Sequence, residues 1–142
     1  MSLLNQKTIK KAVTLTGVGL HSGKQVKICI KPSAPDTGIV FKRVDLKGDN
    51  LIYPNFLNVS NTALNTTISN NSGAKVSTIE HLMGALFGIG IDNVLVEIDN
   101  EEVPILDGSS KLFIEKILSL GLESSAKPIK IIKINNKIEF RK

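Results

Sequence analysis

A chain of 142 residues, 42% hydrophobic and 22% charged, fits one globular domain that buries roughly two-thirds of its unfolded surface. The net charge of +5 is carried by lysines scattered among acidic residues; over Lys7–Lys11 and Lys127–Lys137 they alternate with apolar residues, as on the outer face of strands, and no nucleic-acid partner is expected. One cysteine, Cys29, excludes an intramolecular disulfide, and no stretch reaches a signal peptide's apolar run or the ~20 apolar residues that span a bilayer, so a soluble cytoplasmic protein without stable membrane insertion is expected.

With no Trp and one Tyr, the core must be built from Ile, Leu and Val. Thr8–Thr16 reads as a first strand. The loop Gly17-Val-Gly-Leu-His-Ser-Gly23 follows, and then Val26, Ile28 and Ile30 alternate with Lys27, Cys29 and Lys31 until Pro32 ends the strand. Gly38–Val44 is another strand. Lys47–Asn71 is polar and turn-rich, with short β-prone pieces at Ile52–Phe56 and Thr62–Ile68. Ser77–Phe87 is the clearest helix: Ile79, Leu82, Met83 and Leu86 make one apolar stripe, with Gly88 and Gly90 as a stop. Val94–Ile98 is a strand and Ser110–Leu120 a second helix. These elements predict an α+β fold, a two-layer sandwich in which a mixed β-sheet is covered on one side by two main helices. The first domain is expected over residues 1–126. Ser124–Pro128 then reads as a linker, Ile129–Ile134 and Lys137–Phe140 as a hairpin turning at Asn135-Asn136, and residues 127–142 together as the opening of a second domain cut short.

Few residues carry recognisable chemistry. Ser77-Thr-Ile-Glu80 has the form of a capping box, which by itself accounts for Glu80. His81 lies off the apolar stripe; neighbours on a helix point about 100° apart, so Glu80 and His81 cannot face each other but can both reach a third object, such as a metal and its water. A helix-terminal histidine with no such role is the alternative. The glycine loop resembles a dinucleotide fingerprint only loosely, since its third glycine comes one place late and a strand follows it. His21 at its tip is either a turn residue or part of a site. Asp107 reads as the acidic residue of a turn leading into a helix, and Cys29 as a passive strand thiol. Catalytic zinc takes three protein ligands and a water, whereas two histidines sixty positions apart give no second ligand at helical spacing.

Taken together and in order, Thr16-Gly-Val-Gly-Leu-His-Ser-Gly-Lys24, Ser77-Thr-Ile-Glu-His-Leu82, Gly90-Ile-Asp-Asn93 and Pro104-Ile-Leu-Asp-Gly-Ser109 resemble the first domain of the UDP-3-O-acyl-N-acetylglucosamine deacetylases, zinc enzymes of lipid A biosynthesis in Gram-negative bacteria. The resemblance runs from about Thr8 onward. It implies that His81 ligates zinc and that Glu80 is the general base for a metal-bound water attacking the acetamide. It also places His21, Leu20, Leu64 and Asn65 along the substrate cleft and Asp107 as a polar support. The family's other ligands, a His and an Asp one helical turn apart, belong to its second domain, as does a further catalytic His. The partners implied are therefore an acylated UDP-sugar and the missing second domain, and the isolated chain is expected to be inactive. Two alternatives remain open: a homodimer pairing His81 with His21, and a non-catalytic interaction domain in which these motifs are only caps and turns.

Overall fold

Alternation of apolar and polar residues is converted directly into the central sheet. The computed structural model describes residues 4–140. In chain order the elements are β1 (Asn5–Ile9), β2 (Val13–Val18), β3 (Gln25–Pro32), β4 (Ile39–Arg43), β5 (Leu51–Ile52), a 3₁₀ turn (Phe56–Asn58), β6 (Val59–Asn61), β7 (Thr67–Ser69), β8 (Lys75–Val76), α1 (Glu80–Gly88), β9 (Val94–Ile98), α2 (Lys111–Leu120) and β10 (Leu122–Pro128). Five strands form a mixed sheet in the order β2-β3-β9-β4-β5, with β4 and β9 parallel and the other neighbours antiparallel. The register aligns Val13, Ile30, Val96, Phe41 and Ile52 in one buried row across all five strands. The adjacent row, Thr14, Cys29, Glu97, Lys42 and Leu51, is exposed or half-exposed, as a two-residue period requires.

Both helices turn their apolar stripes onto that buried row. Leu82, Ala85 and Leu86 of α1 and Phe113 and Ile117 of α2 join the strand residues in a single hydrophobic cluster. The α+β class with two main helices is therefore observed. The β layer is more divided than the sequence suggests: β6-β7-β8 form a separate antiparallel sheet, and β1 and β10 pair as a two-stranded ribbon.

Three expectations are corrected. The single strand over Thr8–Thr16 is two strands in different sheets, because Lys10 bends away and gives its N–H to the Gly121 carbonyl. Ser124–Pro128 is not a linker: it is most of β10, whose register runs from Ile9 opposite Leu122 to Asn5 opposite Pro128. Among the described residues the hairpin over 129–140 does not form, and residues 141 and 142 lie outside them. No helix among the described residues is long and apolar enough to cross a membrane.

Candidate active site

α1 starts at Glu80, three residues later than the expected start at Ser77, and the reason lies in its approach. Ser77 is tied as if in a strand: its N–H donates to the Glu101 carbonyl (2.8 Å), and its own carbonyl accepts from the Val103 N–H (3.1 Å). Thr78 is buried with φ +55°, a left-handed conformation that a β-branched residue seldom adopts. A helix cannot propagate through that geometry. Ile79 becomes the N-cap, with no side-chain capping bond. The capping box is thus overturned: Ser77 Oγ donates to the Glu101 carbonyl, and Glu80 is engaged elsewhere.

Glu80 is the first residue of α1 and is exposed. Its Oε1 accepts the backbone N–H of Thr66, from the loop between β6 and β7. Its Oε2 has no partner among the described residues. A carboxylate here lies in the positive field of the helix N-terminus. His81 is half-buried, and its ring makes no hydrogen bond among the described residues. Its carbonyl accepts from Ser110 Oγ (2.8 Å), which fastens the start of α2 to the first turn of α1.

The glycine loop closes on itself, with Gly19 donating to the Lys24 carbonyl and Gly23 to the Gly19 carbonyl, each at 3.0 Å. The N–H groups of His21 and Ser22 point inward at Glu102, donating to Oε1 (2.9 Å) and Oε2 (2.8 Å). Thr78 Oγ1 donates to the same Oε1 at 2.9 Å. Glu102 is only 2% exposed. Burial alone pushes its carboxyl pKa up, but hydrogen bonds from the Ser22 side chain, from the His21 and Ser22 backbone and from Thr78 outweigh it, and the group is held down at about 2. A Cβ at position 19 would collide with Ser22 Oγ and a Glu102 carboxylate oxygen, so the close approach demands glycine.

Two concavities border these elements. A polar cavity of about 480 Å³ is lined by His21, Ser22, Lys24, Asn65, Thr67 and Lys75 among others. Lys75 pairs with Glu101 at 3.1 Å, while Lys24 has no ion pair among the described residues. A second groove of about 290 Å³ is mainly apolar, with Phe56, Val59, Ile79 and Met83 in its wall and Glu80 its one charged residue. The segment from Asn65 to Thr67 separates the two: Asn65 and Thr67 face the cavity, and Thr66 faces the groove.

The structure thus brings His21 and Asn65 together in one cavity and sets Glu80 beyond the Asn65–Thr67 wall, with His81 next to it on α1 and in the lining of neither space. Leu20 and Leu64 line neither space and project outward at loop tips, 59% and 92% exposed. Asp107 is spent within its own turn, accepting from the N–H (3.1 Å) and Oγ (2.9 Å) of Ser109. Sequence reasoning missed Thr66, Thr78 and Glu102. Glu102 in particular reads as one of two ordinary acidic residues in a turn, and only contacts across 24 and about 80 positions reveal it. Among the described residues, no three His, Cys, Asp or Glu side chains are grouped to hold a metal ion. The family model described as LpxC, UDP-3-O-acyl N-acetylglycosamine deacetylase, matches residues 6–142.

Proposed function

The chain belongs to the UDP-3-O-acyl N-acetylglycosamine deacetylase family, hydrolases of lipid A synthesis, and on that premise we propose that it carries the general base and one zinc ligand for hydrolysis of the N-acetyl group of an acylated UDP-sugar. The first turn of α1 supports this reading most: a carboxylate oriented through one oxygen and open at the other, beside a half-buried imidazole with no hydrogen-bond partner among the described residues. Imidazole nitrogen and carboxylate oxygen are ordinary zinc donors, so the pair fits one corner of such a centre. When bound, the ion supplies a lowered water pKa and polarisation of the carbonyl.

The chain's own residues do the rest. His81 would hold the metal through its ring. Glu80 takes the proton of the attacking water on Oε2 and passes it to the departing amine, while Thr66 keeps Oε1 still. The positive field of the helix N-terminus attracts the carboxylate. The same field opposes a nearby cation, so anionic ligands must come from elsewhere, on this reading a His and an Asp of a second domain. His21 and Asn65 meet the sugar from the polar cavity, and the exposed Leu20 and Leu64 lie along the cleft. Asp107 supports the site indirectly, by ordering the turn from which Ser110 reaches the His81 carbonyl. We place residues 1–126 in the first domain, with β10 running on to Pro128, and the residues after it in a second. Ile131, Ile132, Ile134, Ile138 and Phe140 are 71–94% exposed, an apolar run that the first unit leaves uncovered.

The competing reading, in which these motifs act only as caps and turns, loses its physical basis at Ser77 and Glu80, since neither makes a capping bond. The deciding experiment is Glu80→Gln in the enzyme joined to its second domain. The amide still accepts from Thr66 but cannot take a proton, so kcat falls about 10²–10⁴-fold with no change in melting temperature. A rate within about threefold of the parent rejects Glu80 as the base. The 142-residue chain by itself binds zinc weakly in a calorimetric titration and releases no acetate from the nucleotide sugar; tight stoichiometric zinc with turnover sinks the half-site assignment.

A further inference from the structure

Two segments that carry site residues, the His21 loop and the turn before Glu80, have no direct hydrogen bond to each other and share one buried group. We propose that Glu102 is a positioning residue for the reaction: its carboxylate fastens the His21 loop to the Thr78 turn, so that the sugar-contacting loop and the Glu80–His81 pair are set as one unit. The inference rests on the site reading above and adds to it a residue that acts through the two segments it joins.

Four observations converge on this role. Both carboxylate oxygens are engaged, Oε1 by His21 N–H and Thr78 Oγ1 and Oε2 by Ser22 N–H, so a single side chain bridges two segments. Glu102 is 2% exposed at the wall of the polar cavity, so these donors are the main solvation of its carboxylate. Gly19 is stripped of a side chain where the carboxylate approaches, so the loop is shaped around this group. Thr78 is strained at φ +55° two residues before Glu80, and its hydroxyl bond to Glu102 is one of the contacts that hold it there. The loop has the look of a phosphate cradle, yet two of its N–H donors are already committed to an internal anion. Substrate must therefore meet the loop through the His21 ring and not through those amides. The role is also not that of a generic core residue: the donors come from the two segments that lead to His21 and Glu80, not from the sheet.

The test uses two readouts. In the complete zinc-loaded enzyme, Glu102→Gln removes the charge and sets an N–H₂ against at least one of the N–H donors, which loosens the bridge; kcat/KM falls by about 10–100-fold. His21→Ala is then measured in both backgrounds, and its effect shrinks to within about twofold in the Glu102→Gln enzyme, because the loop is already loosened. Independent effects that multiply in the double variant overturn the proposal, as does a loss of activity that only follows a loss of folded protein. Should Glu102→Gln fail to fold, Thr78→Val removes one hydroxyl and keeps the shape, and Thr78→Ser restores the hydroxyl. In the 142-residue chain, amide hydrogen exchange of His21 and Ser22 rises in the Val variant and returns with Ser, while Ile30 and Val96 stay protected. Unchanged exchange at His21 and Ser22 in Thr78→Val overturns the bridge. The exchange readout does not depend on Glu80 being the base, so a bridge that holds while Glu80→Gln retains its rate indicts the site reading and not this one.

Discussion

The central sheet and the Glu102 bridge hold this molecule together by opposite means. In the sheet, Val13, Ile30, Val96, Phe41 and Ile52 lie side by side across five strands, and stability is spread over many contacts of no particular direction. At the bridge, one carboxylate gathers directional hydrogen bonds from His21, Ser22 and Thr78, and a strained threonine and a side-chain-free glycine are accommodated around it. The first arrangement tolerates small changes of shape and is indifferent to pH. The second is all-or-none at one residue and depends on its charge. On the proposed reading, function falls on the second kind of structure, at loop tips and a helix start, and the first kind supplies the platform.

The comparison can be broken hardest at the sheet. Phe41 is fully buried in the middle of the row, and Phe41→Ala lowers the unfolding free energy by about 3–5 kcal/mol through lost transfer energy and a cavity. Urea titration measures it, and a loss below about 1 kcal/mol means that the row repacks.

An intermediate effect is expected from pH. The Glu102 carboxyl is held at about 2, below its ordinary value of 4.5, so the stability it contributes is fully present above about pH 4.5 and drains away as pH falls through about 2. Asp36 titrates in the same window, lowered to about 2 by hydrogen bonds from Lys127 and Gln6 and by the nearby Lys130 charge. Thermal melts between pH 5 and about 2 therefore steepen downward in the parent, and Glu102→Gln removes part of that slope, with Asp36→Asn removing another part. An undiminished slope in Glu102→Gln denies the carboxylate its ionised role. The smallest effect is the trimming of one methyl from the row: Ile30→Val costs about 1 kcal/mol, equally at pH 7 and pH 4. A pH-dependent cost there erases the distinction between the two regions.

How legible each region was in sequence follows from the same contrast. Period-two alternation in Val26–Ile30 and the apolar stripe of Ile79, Leu82 and Leu86 report local geometry, and both reappear as buried faces. β10 escaped because Leu122–Pro128 is an edge strand of mostly small and charged residues, with no apolar face to announce it. The capping box misled because Ser77 is recruited by Glu101 and Val103, a parallel bridge between segments some 25 positions apart that no local pattern records. The roles proposed for Glu80, His81 and His21 rest on motif order alone. The support around them, Thr66 beneath Glu80 and Glu102 beneath His21, was not legible, since a hydrogen bond between distant segments leaves no period in the sequence.

The β1–β10 ribbon sets Asn5 opposite Pro128, so the first strand of the unit and its last are neighbours. The folded unit is thus close to a ring with a single break in it. Joining Asn5 to Pro128 through a few flexible residues and reopening the backbone at the exposed Gly48 turn leaves every sheet register in place, which makes this a natural scaffold for circular permutation. Whatever follows Pro128 is delivered beside the start of β1.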